Sequence, residues 1–467
     1  MKRRVATALA ALALTGCMVG PNYRSPVPEA PAQAPFLSGQ SPAFTPDQPP
    51  GRWWSLFADP LLDRLVEEAL NNNRDLRVAE ANLRRARAVL RETRSGLFPS
   101  ATAKASATYS RQSGDQLGFQ GIASEGWSYD AGIDVSYQLD LFGKIRRAIQ
   151  AARADAGAAQ AARDVSRITV AAETTRAYAE ACSSARQLSV ARETVRIQEQ
   201  TFDLTRRLME GGRVTALETG QAGSLLDQVR ATLPTLEAQH QTALFRLSVL
   251  TGRPPADFPR EVATCDSAPA LARPIPVGEG ASLLARRPDV RQAERELAAE
   301  TARVGVATAN LYPTVTLGGS IGTAATSLSG LGSGDSLRFS LGPLISWDFT
   351  NLFVGRSRIA QAEASAEGKL ANFEGTWLKA LQETESALTR YARELDRREA
   401  LKRARVQSAE AARIARLRYE HGREPFQVVL DAERSLAAVE ADLARSDAQL
   451  SDNLVTLFLA LGGGWQA

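Results

Sequence analysis

From Trp127 to Leu139 apolar and polar positions alternate without a break. Trp127, Tyr129, Ala131, Ile133, Val135, Tyr137 and Leu139 form one set, and Ser128, Asp130, Gly132, Asp134, Ser136 and Gln138 the other. A period of two places the sets on opposite faces of a β-strand. Residues 101–110 alternate more weakly, with Thr102, Lys104, Ser106 and Thr108 on the polar side. Two further strands are predicted at about 314–323, where Val315, Leu317 and Ile321 share a face, and at 337–347, carrying Leu337, Phe339, Leu341, Ile345 and Trp347. Gly- and Ser-rich stretches connect each pair. Before each pair lies a predicted helix of about twenty residues, ending at Leu97-Phe98-Pro99 or Leu311-Tyr312-Pro313, and after it a much longer helical stretch. No proline falls between Pro99 and Pro234 or between Pro343 and Pro425. Proline inside a helix costs about 3 kcal/mol, so these gaps permit unbroken helices. Lys144 to Met209 alone would rise about 100 Å.

The order repeats because the sequence repeats. Asp75, Arg77, Ala79, Glu80, Leu83, Leu97 and Pro99 recur as Asp289, Arg291, Ala293, Glu294, Leu297, Leu311 and Pro313. Gly143-Lys144 recurs as Gly355-Arg356, and Glu210, Gly212 and Arg213 as Glu420, Gly422 and Arg423. An offset above two hundred residues is a duplicated half rather than a solenoid repeat. Each half therefore has the same plan: helix, two strands, long helices.

Strands of about ten residues, apolar on one face with aromatic residues near their ends, fit a transmembrane β-barrel. One such strand alone fits a soluble sandwich with one wet face better, but only two hairpins exist and nothing else in the chain would cover them. Four strands cannot close a membrane barrel, and open edges are not tolerated in lipid. Three copies give twelve strands and a lumen wide enough to conduct. The expected fold is thus mainly α with transmembrane β, a homotrimer sharing one twelve-stranded barrel. The long helices, dense in alanine as in AIQAARADAGAAQAARD, continue it as a helical barrel.

The N-terminus supplies an address. Lys2, Arg3 and Arg4 precede the ten-residue stretch Val5 to Leu14, apolar but for Thr7, which runs into Leu14-Thr15-Gly16-Cys17. A basic start and a short apolar run form a secretory signal, too short to remain as a membrane span. The final four residues resemble a bacterial lipobox, with Cys17 as the lipid attachment site. Acyl chains there anchor the chain at about 0.8 kcal/mol per buried methylene. Met18, not aspartate, follows the cysteine, which favours the outer membrane. Pro21 to Pro50 then carries nine prolines and reads as an extended tether, with Trp53 and Trp54 as packing anchors at its end.

Composition removes the competing classes. The formal charge of +4 includes the three basic signal residues, so the mature chain has 53 basic against 52 acidic residues, or +1, and no case for nucleic acid. Histidine occurs only at His240 and His421, leaving little for metal ligation or acid–base catalysis. No catalytic frame or nucleotide loop is present, so no catalytic residue, metal or cofactor is expected. Cys182 sits in an alanine-rich helical run and Cys265 in a loop-like stretch, and two buried free thiols are expected.

With lipobox, duplicated halves, hairpins and long helices in this order, the chain resembles the outer-membrane factors, the TolC-like efflux proteins, in their lipid-anchored OprM and NodT branch. CMVGPNYRSP, YQLDLFGKIRRA and LLARRPDVRQAE carry the likeness. The resemblance implies a passive channel, partnered by a periplasmic adaptor and an inner-membrane transporter of the RND or a similar type. It also implies an equatorial belt made of the terminal segments and the linker between halves. On that plan residues 1–16 are the signal peptide, 17–60 the lipidated tether and equatorial segment, and 61–250 the first repeat. Residues 251–282 are the equatorial linker, 283–460 the second repeat and 461–467 the tail. The family's periplasmic mouth opens as helix ends splay like an iris. Gly211 to Ala222 and Tyr419 to Glu433 match its gate segments. By position Glu218 and Tyr419 would form a polar link holding the closed state, and Asp431 a ring of three carboxylates, against a plain reading of all three as solvated helix surface. Val428 and Glu424 depart from the pattern of TolC itself, so the gate is held differently in detail. Two alternatives are a duct for protein secretion and a periplasmic adaptor lipoprotein without membrane strands.

Overall fold

The computed structural model describes residues 18–27, 34–112, 124–265, 267–269, 271 and 273–463. In chain order its elements are β1 (Phe44–Thr45), α1 (Pro60–Asn72), α2 (Arg74–Ser95), β2 (Ser100–Gln112), β3 (Ser124–Leu139), α3 (Lys144–Glu210), α4 (Ala216–Arg230) and α5 (Leu233–Leu250). The second half supplies β4 (Ile275–Pro276), α6 (Gly280–Arg286), α7 (Pro288–Ala309), β5 (Thr314–Ala325), β6 (Leu337–Ser346), α8 (Leu352–Glu420) and α9 (Phe426–Ala460). Helix, strand pair and long helix recur as the duplication requires. The short helices α2 and α7 are each 22 residues, and the long ones, α3 and α8, are 67 and 69. No helix among the described residues is long and apolar enough to cross a membrane.

Two compact units divide the chain. The first holds, of the described residues, those within 18–26, 82–159 and 292–373, and its centre is a four-stranded antiparallel sheet in the order β2-β3-β5-β6. Register lines up the alternating sets: Ile133, Ile321 and Phe339 stand in one row, and Leu139, Val315 and Ile345 in another. This apolar face is bare, with Phe339 and Leu341 each 80% exposed. Aromatic pairs mark both ends of the strands, Tyr109 on Trp127 at one and Phe142 on Tyr312 at the other. Trp347 falls one residue beyond β6, and its indole N–H donates to the Leu311 carbonyl at 3.0 Å. Among the described residues β2 and β6 are edge strands, each with an unpaired side.

The residues that follow Cys17, itself outside the described residues, are clamped beneath this sheet. Arg147, 2% exposed, donates to the carbonyls of Val19 and Gly20 and to Asn22 Oδ1 at 2.9–3.0 Å. Tyr23 donates to Glu294 at 3.1 Å. Gly143 (φ +79°) leaves room for Met18, which an added Cβ would meet at 2.6 Å. Removing the buried guanidinium takes the shared donor from three partly exposed acceptors of the strap. Arg147→Ala is therefore expected to release this strap. Trypsin cleavage after Arg24 in purified protein should accelerate while the rest of the digest is unchanged, and an unaltered Arg24 cleavage rate would refute the clamp.

The second unit, residues 27–81, 160–291 and 374–463, has among its described residues helices and the parallel strand pair β1–β4, which joins the N-terminal segment to the inter-repeat linker. Its core gathers Trp53, Trp54 and Phe57 with Leu62 and Leu65 of α1, Leu244 and Leu247 of α5, and Leu457 and Phe458 of α9. Leu37 and Ser38 donate their backbone N–H groups to the Glu385 carboxylate at 2.7 and 2.9 Å.

One expectation is overturned here. Cys182 and Cys265 are not free thiols but a disulfide, with Cα atoms 4.9 Å apart. The turn at Val262–Thr264, anchored by buried Val262, lays Cys265 against the fully buried Cys182 of α3. The contrasting sequence surroundings of the two cysteines reported their local structure and not where the linker packs.

Candidate functional site

The gate segments lie in the second unit, where α3 turns into α4 and α8 into α9. Both turns have one design. Gly212 (φ +66°) and Gly422 (φ +68°) adopt the left-handed conformation that ends a helix, with open space around them. The N–H groups of Arg213 and Arg423 then return to the carbonyls of Leu208 and Arg418, both at 2.8 Å. A Cβ at either glycine would meet no neighbour, so its conformation alone selects glycine.

Four helices pack together behind the turns. Ala222 and Leu225 of α4, Ala415 and Tyr419 of α8, and Phe426, Val429 and Leu430 of α9 form a buried cluster, backed by Phe202 and Leu208 of α3. Tyr419 lies on Phe426 with ring centroids 5.4 Å apart.

The three residues singled out in the sequence occupy different environments. Glu218 stands at the third position of α4 and accepts from the Thr215 backbone N–H at 2.6 Å and from its hydroxyl at 3.2 Å. This is the helix-start arrangement of a capping box, and the spacing Thr215-x-x-Glu218 is the signal that makes it legible. Tyr419 is buried, and its hydroxyl has no hydrogen-bond partner among the described residues. Burial, and then the nearby Glu218 charge, push its pKa up. Asp431 is exposed on α9, and Gln427 donates to it at 3.3 Å.

Glu433, two residues further on, has no distinguishing mark in the sequence. It is 2% exposed and joins three helices: Thr201 of α3 donates to its Oε1 at 3.0 Å, and Arg416 Nε of α8 lies 3.3 Å from the same oxygen. Oε2 is buried without a partner. Desolvation raises its pKa above the usual 4.5, against the opposing pull of Thr201, Arg416 and Gln198. A raised carboxyl pKa means that the packed state holds the proton more tightly than the unfolded chain. This contribution to stability is full below 4.5 and is lost as pH rises through the raised value. Acidification toward 4.5 is thus expected to tighten this cluster in the wild type, and Glu433→Gln to remove that part of the pH dependence. Hydrogen exchange of the α9 amides between pH 5 and 8 reads it, and identical pH profiles for the two proteins would disprove it.

Comparison with known proteins places this arrangement. The sequence profile of the outer membrane efflux protein family matches residues 65–253 and 281–463, one segment in each half. Nodulation protein T of Rhizobium leguminosarum bv. trifolii is 30% identical over 462 residues, covering 99% of this chain and 97% of its own. Outer membrane protein OprJ of Pseudomonas aeruginosa is 33% identical over 470 residues, covering 99% and 96%. Among solved structures, the outer-membrane channel OprN superposes with a TM-score of 0.92 at 36% identity, over 97% of this chain and 100% of that one. The open state of the Neisseria gonorrhoeae MtrE outer membrane channel gives 0.84 at 27% identity, over 96% and 99%. With both halves matched and relatives aligned end to end, the chain belongs to the outer membrane efflux protein family, in its OprM and NodT branch: it is an outer-membrane channel subunit of the kind that works as a trimer with a periplasmic adaptor and an inner-membrane transporter.

Proposed function

We propose that the paired turns at α3–α4 and α8–α9 are the gate of this channel, that Cys17 carries its lipid, and that the duct does no covalent chemistry of its own. The channel reading rests above all on one observation. A sheet with a bare apolar face and two unpaired edges, β2 and β6, has no stable place except closed against further copies in lipid. An adaptor lipoprotein has no use for such a sheet.

Within the gate, Tyr419 acts through its ring, which fills the cluster and covers Phe426, rather than through a hydrogen bond from its hydroxyl. Asp431 is an exposed carboxylate of α9, bonded to Gln427 of its own helix and placed to meet its symmetry mates at the mouth. Three carboxylates brought close repel one another and attract cations. Asp431→Ala is expected to loosen the mouth and to lower cation selectivity. Conductance and reversal potential in planar bilayers measure both, and values equal to wild type would remove Asp431 from the gate. Tyr419→Phe keeps the ring and should conduct like wild type, whereas Tyr419→Ala leaves a cavity worth about 3–5 kcal/mol and should open the mouth. Equal conductance for these two variants would contradict a packing role.

A further inference from the structure

The polar face of the sheet carries a feature that the channel reading leaves unexplained. In one row across all four strands stand Lys104, Gly132, Gly322 and Arg338. Two long basic side chains thus flank two glycines. Neither basic group projects freely: Lys104 pairs diagonally with Asp134 of β3 at 2.7 Å, and Arg338 of β6 pairs with Asp130 of β3. The second contact passes over β5 entirely, a reach of two interstrand spacings or about 10 Å. The residues of β5 on that face along its course are small, Gly322 opposite Arg338 and Ala324 opposite Asp130. The strands are also tight at this row, where a Cβ on Gly132 would lie 2.9 Å from the Ile321 carbonyl and one on Gly322 2.6 Å from that of Ala131.

This face is opposite the apolar one, so in the closed trimer it lines the lumen. We propose that these residues form the charge-balancing belt of the β-barrel: Asp130 and Asp134 hold Arg338 and Lys104 flat over a glycine floor. The bore then presents neither sign and passes anionic and cationic solutes alike. Each protomer contributes two cations and two anions, so the belt is formally neutral. Unpaired, a threefold ring of arginines or lysines inside a narrow low-dielectric wall would select anions and narrow the bore.

The inference rests on the barrel reading, and reversal potentials across a salt gradient in planar bilayers test it. They are recorded in wild-type and Asp431→Ala backgrounds so that the mouth does not mask the lumen, on trimers checked by heat-modifiability. Asp130→Asn, which frees Arg338, is expected to shift the reversal potential toward anions. Arg338→Gln, which frees Asp130, should shift it toward cations, and the double variant should return it to the parent value. If Asp130→Asn does not assemble, Asp134→Asn, which frees Lys104, must give the anion shift instead. Single variants that leave the reversal potential unmoved, or move it in one common direction, overturn the belt while the channel stands. A wild-type protein that forms no channel at all overturns the barrel reading and the belt with it.

Discussion

Trp53→Ala is expected to lower the stability of the helical unit by about 3–5 kcal/mol, the range for truncating a buried aromatic residue. Trp53 has no exposed surface. Its indole stacks on Phe458 of α9 at 4.8 Å and meets Trp54 and Phe57 edge-on at 6.0 and 6.3 Å. The chain makes room for it at Gly463, where a Cβ would lie 2.9 Å from the ring. Trp53 thus stands at the centre of the junction between the N-terminal segment and the C-terminal helix, and the space it leaves cannot collapse against backbone already in contact. The temperature at which the purified trimer dissociates reports the loss. Leu56→Ala, three residues along at a 37% exposed position, serves as control and should stay within about 0.5 kcal/mol of wild type. Equal effects for the two substitutions would mean that Trp53 is not the anchor described.

The second large effect is expected on removing the disulfide. Cys182 and Cys265 close a loop spanning 83 residues, and the loop-entropy relation assigns such a crosslink about 4.5 kcal/mol. The loop contains α4 and α5, so without the crosslink both helices and the linker are held to α3 only by packing and by polar contacts such as Arg230–Glu199 and Arg192–Glu237. Replacing both cysteines by alanine should lower the dissociation temperature of the trimer, and wild-type protein refolded with a thiol reductant should match the variant. The variant itself should be indifferent to reductant. A double variant as heat-resistant as the oxidised wild type would show that the linker is fixed without the crosslink.

Local pattern carried most of the fold. Alternation from Trp127 to Leu139 fixes a strand and both its faces because side chains of a strand must alternate. The proline-free gaps permit α3 and α8, and the offset between the halves makes one plan serve twice. The glycines that end α3 and α8 and the Thr215–Glu218 spacing are equally local. Tertiary structure alone decided the contacts made between distant elements. Cys182 meets Cys265 because the linker turn packs on α3, and no residue near either cysteine records that. Glu433 reads as one more carboxylate on a charged helix until α3 and α8 close over it and deprive it of water. Arg338 and Asp130, 208 residues apart, pair because strand register aligns small residues between them. The physical reason is common to all three. Backbone periodicity is set by neighbours along the chain and is written in any short window, whereas desolvation and pairing are set by which surfaces the packed helices and strands bring together.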